Sequence, residues 1–201
     1  MSDKKMGYNP NSMNFGAKGW LFCLFSALVF FIPTALGSTW QMAVVYWEAA
    51  YGWNQVFILN MVTVGGLFTV IGAFLCGILV TKRSPRKLAI IWSAAYIIFL
   101  VIVGLSESLP LTCVCIVAVT MFGSNWCYNL NPVIVSNWFP RKKGLVMGIV
   151  TMGIPLAAGI TTKILTWGFN NFGIRLMFIP YVVMAAIALV VLILFVTVQS
   201  G

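Results

Sequence analysis

Asn137-Trp138-Phe139-Pro140-Arg141-Lys142-Lys143-Gly144 separates two apolar runs. Pro140 lacks an N–H and cannot continue a helix, and it biases Phe139 away from helical dihedrals. Trp138 and Phe139 are rings of the kind that settle at headgroup depth. Arg141, Lys142 and Lys143 form a compact cationic link of the kind kept on the cytoplasmic side of a membrane. The stretch reads as a tight hairpin between two transmembrane helices, and it fixes the orientation of the others.

Working outward, the composition agrees. The chain has 201 residues, of which 61% are hydrophobic and 7% charged, with a mean hydropathy of +1.01. A soluble domain carries roughly 25% charged residues, so this chain cannot coat itself in water. Its net charge of +9 does not indicate nucleic acid, because the cations sit in short clusters between apolar runs instead of on one solvated face. Cys23, Cys76, Cys113, Cys115 and Cys127 all lie in apolar segments without metal-ligand spacing and read as small packing residues. Histidine is absent from the sequence, which excludes bis-histidine haem ligation and histidine acid–base chemistry, and no metal or other cofactor is expected.

An all-α membrane protein with six transmembrane helices follows. Residues 1–17 are polar and Asn/Gly-rich and read as a cytoplasmic tail, and 18–201 form the bundle. The spans fall at about 19–45, 56–80, 88–105, 109–138, 144–166 and 176–198, each able to cross ~30 Å of hydrocarbon. Lys82, Arg83, Arg86 and Lys87 fill the link after the second span, as 141–143 fill the link after the fourth. With the N-terminus inside, all of the 12 cations except Lys163 and Arg175 lie inside, which predicts an N-in, C-in topology. Each half contributes three spans, an odd number, so the two triplets have opposite orientation. That is the 3+3 inverted repeat of many secondary transporters.

Two polar stripes stand out. In the first span Thr34, Ser38 and Gln41 share a helical face. In the fourth, Thr120, Ser124, Tyr128 and Asn131 form a stripe flanked by Asn125 and Asn129, and Pro132 predicts a bend there. Each stripe is open to two readings, helix-packing glue or a solute pathway. Gly65, Thr69, Ala73 and Gly77 repeat every four residues on the second span, and Gly153, Ala157 and Thr161 do so on the fifth. These are ridges that let a neighbouring helix approach closely. Lys163, near the outer interface, is read either as snorkelling to the headgroups or as attracting an anion to a cavity mouth. Glu48 and Glu107 fall in outer links and read as solvated. No carboxylate or nucleophile–base pair is expected at membrane depth, so the chain is not expected to be an enzyme.

Gly77-Ile78-Leu79-Val80-Thr81-Lys82-Arg83-Ser84-Pro85-Arg86-Lys87 resembles the signature loop between helices two and three of the major facilitator superfamily. Its Pro-Arg-Lys ending is similar to the oxalate/formate antiporter and monocarboxylate-porter branch. Residues from Asn137 through Gly144 to Gly148 resemble that branch's loop between helices four and five. Tyr51-Gly52-Trp53-Asn54 and Gly173-Ile174-Arg175 add support. Thr81 stands where the family usually has an acid, and Ser84 where it usually has a glycine.

The resemblance covers the first six of the family's twelve helices. It implies one of two bundles that rock around a central site lined by helices one and four. The implied function is secondary transport of a small organic anion, a carboxylate, across the plasma membrane by alternating access. The expected partners are the lipid bilayer, the anion, and a second six-helix half or a second copy of this chain. Thr34, Ser38, Gln41, Ser124, Asn125, Tyr128, Asn131 and Lys163 are the candidate pathway residues. Gly77, Thr81, Lys82, Arg83, Arg86 and Lys87, with Asn137, Trp138, Pro140, Arg141, Lys142, Lys143 and Gly144, are the candidate cytoplasmic loop motifs. The competing expectation is a structural or truncated six-span subunit without transport of its own, since Gly201 falls where a link to a second bundle would begin.

Overall fold

The computed structural model describes residues 16–139 and 142–195. The expected tail therefore lies outside the described residues except for its last two positions, as do Pro140, Arg141 and residues 196–198 of the expected last span. Among the described residues the elements are all helical. They are α1 (Gly16–Tyr51), α2 (Gln55–Lys82), α3 (Pro85–Leu105), α4 (Leu109–Asn125), a π turn (Trp126–Leu130), α5 (Asn131–Trp138), α6 (Lys143–Thr151), α7 (Gly153–Met177) and α8 (Ile179–Phe195).

Local chemistry explains the punctuation. Gly52 takes φ +68 to turn the chain after α1, a conformation that costs glycine little. Asn54 then caps α2 by accepting the Phe57 N–H at 3.2 Å. Ser84 caps α3 by accepting the Lys87 N–H at 3.4 Å, with Pro85 at the start of the helix, where its missing donor is not needed. The break at Met152 precedes Pro155, whose ring conflicts with the carbonyl four residues back. The break at Phe178 precedes Pro180 in the same way.

The sequence places a link between 166 and 176, and the structure differs: α7 continues through this region to Met177. No proline lies between Pro155 and Pro180, and the Asn171 amide donates back to the Trp167 carbonyl at 2.7 Å, so nothing forces an end. Five helical stretches among the described residues are long and apolar enough to cross a membrane: Gly19–Tyr51, Gln55–Lys82, Pro85–Leu105, Leu109–Trp138 and Lys143–Thr161. α8, where the sequence places a sixth span, is a shorter apolar helix of 17 described residues, about 25 Å at 1.5 Å per residue.

The middle helix of each triplet packs against the other triplet. α2 lies mainly on α4, α7 lies mainly on α1, and α3 meets α8. This exchange ties the two triplets together. It puts α1 at the centre and leaves α2 peripheral, with 50% of the α1 span buried against 17% for α2. Phe22, Val29, Ile32, Ala35, Trp40 and Val44 carry the buried side of α1. At one end of α1, Phe22 stacks on Trp138 at 4.4 Å. Towards the other end, Trp47 stacks on Phe178 at 6.0 Å.

Candidate functional site

The open face of α1 carries the first polar stripe. Thr34 and Ser38 are half-buried and Gln41 is exposed, whereas their neighbours Ala35, Leu36, Thr39 and Trp40 are buried. Thr34 donates its hydroxyl to the Phe30 carbonyl at 2.8 Å, the usual way a hydroxyl is satisfied inside a helix. Its oxygen also lies 3.4 Å from the Tyr128 hydroxyl. Since the Thr34 proton is already committed, Tyr128 is the donor in that contact. Tyr128 is 48% exposed, so its phenol lies on an open face.

The residues singled out on the fourth span separate into two groups. Ser124 is half-buried and Tyr128 exposed, one turn apart. Asn125 and Asn131 are buried. Asn125 donates to the Met121 carbonyl at 2.8 Å and to the Thr69 carbonyl of α2 at 3.3 Å. Asn131 donates to the Ser26 carbonyl of α1 at 3.1 Å. Their amides therefore tie helices together.

The π turn causes this separation. The Asn131 N–H reaches back to the Trp126 carbonyl five residues earlier, so the helix takes in an extra residue per turn just before Pro132. A π insertion shifts the phase of everything beyond it, and Asn131 is carried off the face that Ser124 and Tyr128 share. The missing Pro132 donor is thus absorbed as a widened turn. Sequence spacing, which assumes 3.6 residues per turn, has no signal for this.

Lys163 is exposed on α7, and the structure does not bring it to Thr34 or Tyr128. Two polar contacts escaped the sequence reading. Asn129 donates to the Asn125 side chain at 2.8 Å. Tyr181 of α8 lies 2.7 Å from the Thr39 hydroxyl, which itself donates to the Ala35 carbonyl at 2.9 Å. Alternating hydroxyl and aromatic residues on separate helices give no cue to such pairing.

The cationic link between α2 and α3 is well defined. Thr81 donates to the Ile78 carbonyl of its own helix at 2.7 Å. Gly77, Lys82, Arg83 and Lys87 are exposed, and the Arg83 N–H closes α2 on the Leu79 carbonyl at 2.8 Å. Arg86 is half-buried and donates to the Ile193 carbonyl near the end of α8 at 3.0 Å. On the other link Asn137, Lys143 and Gly144 are exposed, Lys142 is half-buried, and Trp138 covers Phe22.

A family model described as Major Facilitator Superfamily matches residues 16–200. The chain belongs to that superfamily. No curated protein and no solved structure matches it. Members of the major facilitator superfamily are membrane transporters and not enzymes, and the apolar helices described above make this a multi-pass membrane protein. The described residues contain no cluster of His, Cys, Asp or Glu that could hold a metal ion.

Proposed function

We propose that the chain is a six-span half of a secondary transporter that carries a small organic anion, a carboxylate, by alternating access in the plasma membrane. The observation supporting this reading is the Thr34–Tyr128 contact, which joins the polar stripe of α1 to that of the fourth span, at the π turn after α4, on an open face. In lipid such a face must be covered by protein or line a water-filled cavity. Thr34, Ser38, Gln41, Ser124 and Tyr128 supply neutral hydroxyls, an amide and a phenol that can bond a polar solute without a costly buried charge. On this reading Asn125 and Asn131 hold the pathway's walls in place, and Lys163 draws anions toward its mouth. Lys82, Arg83, Arg86, Lys87 and the 141–143 cluster keep both links inside, giving an N-in, C-in half. A second six-helix half, or a second copy of this chain, covers the open face, and exchange of one anion for another is the mode favoured.

Reconstitution into liposomes loaded with one labelled carboxylate, with and without a second half, tests the reading. Tyr128→Phe and Gln41→Ala are expected to lower exchange roughly two- to tenfold, the worth of one hydrogen bond, with thermal stability unchanged. Variants that alter only stability or assembly, with no flux in the parent, would support a structural subunit instead.

A further inference from the structure

One turn along both helices from the Thr34–Tyr128 contact lies a cavity of about 110 Å³. Gly37 follows Thr34 by three residues and Ser124 precedes Tyr128 by four, and both line this cavity with Pro33, Trp40, Val62 and Val119. Three to four residues of helix rise ~5 Å, about the length of a three- or four-carbon chain. The walls are mostly apolar. Thr120, which also lines it, spends its hydroxyl on the Ile116 carbonyl at 2.8 Å. Ser124 and Tyr96 supply the other hydroxyls, the Tyr96 oxygen being buried without a hydrogen-bond partner among the described residues, and the remaining lining is proline, glycine, aliphatic and indole.

Gly37 gives the second observation. Glycine within a helix costs stability relative to alanine, and a close approach usually explains it. Gly123, in the same wall, has such a reason, because a Cβ there would stand 2.8 Å from the Tyr96 ring. A Cβ on Gly37 would meet nothing within 4 Å. Gly37 is exposed and lines the pocket, so a larger side chain there would stand at its opening.

We infer that this cavity is a subsite for a short aliphatic tail. On the reading above, the tail belongs to the transported carboxylate, whose head group binds at Thr34 and Tyr128. The pocket is open on one side and its volume is below the ~150 Å³ of an apolar cavity that holds benzene, so its closed part suits a chain of about two to four carbons better than an aromatic ring. Gly37 sets that limit, and Trp40 and Val62 form the wall the tail packs against.

The test is fluorine NMR on the purified full chain in lipid nanodiscs, titrated with butyrate ending in a trifluoromethyl group and, separately, with the corresponding alcohol. Parent, Gly37→Ala and Gly37→Val proteins are compared after circular dichroism shows equal helix content. Each methylene buried is worth about fourfold in affinity. Both probes are expected to titrate saturably, with Gly37→Val weakening them about tenfold and Gly37→Ala falling between. Saturation by the alcohol alone, weakened by Gly37→Val, would uphold the subsite and overturn the carboxylate reading. Saturation by the carboxylate that ignores both Gly37 variants would leave that reading standing and overturn the subsite. Absence of saturation with either probe would overturn the subsite as well.

Discussion

The two seams at which α2 meets α4 and α7 meets α1 both use glycine, yet they are built differently. Where α2 meets α4, glycine faces side chains. A Cβ on Gly65 would stand 2.8 Å from Thr120 Cβ, and one on Gly72 would stand 2.5 Å from the Asn125 amide nitrogen. That seam is also hydrogen-bonded, Asn125 donating to the Thr69 carbonyl and Thr69 donating to the Thr120 carbonyl at 3.5 Å. Where α7 meets α1, Gly153 lies against the backbone carbonyl of Ala27, and Ala157 is fully buried beside it. The Thr161 hydroxyl on the same ridge is buried without a hydrogen-bond partner among the described residues. At Gly72 the first seam rests on an amide that can turn, at Gly65 on a Cβ that its backbone holds in place, and at Gly153 the second seam rests on main chain that cannot turn. Small residues in a membrane interface thus serve two mechanical purposes, and sequence spacing does not distinguish them.

One substitution, Gly→Ala, separates the two kinds of contact. Gly153→Ala should have the largest effect, a loss of about 3 kcal/mol, because the clash is with backbone and α7 must shift away from α1. Reversible unfolding in mixed detergent micelles would measure it, and a loss below about 1 kcal/mol would mean that this seam is as compliant as the other. Gly72→Ala should cost less, about 1–2 kcal/mol, since the Asn125 amide can rotate aside at the expense of its bond to Thr69. A double-mutant cycle sharpens this point. If the amide is what the new methyl displaces, Asn125→Ala should absorb most of the Gly72→Ala penalty, with a coupling of at least ~0.5 kcal/mol. Tyr181→Phe, which removes the contact with Thr39 without changing shape, should cost about 0.6 kcal/mol, the average for such bonds between membrane helices. Gly77→Ala comes last. A Cβ there meets nothing, so its melting temperature should match the parent within error or rise slightly through helix propensity.

Gly77 also shows where the sequence is a poor guide. The apolar helices and their cationic links are legible because a bilayer leaves the chain few options: backbone polar groups must be paired within the helix, and cations collect at its ends. The rotation of each helix is less legible. A ridge of Gly65, Thr69, Ala73 and Gly77 assumes strict four-residue spacing, whereas the buried residues on α2 include Gly65, Gly72 and Cys76. A helix of 3.6 residues per turn drifts off a four-residue repeat, so by Gly77 the predicted ridge has turned to the exposed side. Over the shorter run Gly153, Ala157 and Thr161 the drift is smaller, and all three are buried.

The same reasoning applies to the candidate site. Thr34, Ser38 and Gln41 lie on one face because α1 is regular there, despite Pro33 within it. Ser124 and Tyr128 are placed by α4 and the first part of the π turn. Asn131 follows the full π turn, and its assignment to the same stripe depended on a regular period that the chain does not keep. The fifth stretch is a different case. Gly168, Asn170, Asn171 and Gly173 suggest a link in sequence, yet each is tolerated in a helix when nothing removes a hydrogen bond, and α7 runs through them.

The Arg86–Ile193 contact has a mechanical consequence. A guanidinium at the start of α3 grips a carbonyl near the end of α8, and its Nε is buried without a partner. The bond itself is exposed, so water can take over either partner when it breaks, and it tethers the two ends by about the worth of one hydrogen bond to a charged group, ~1.5–3 kcal/mol at most. It is a single pin between the two ends, the point at which a displacement of the end of α8 would first be felt at the α2–α3 loop.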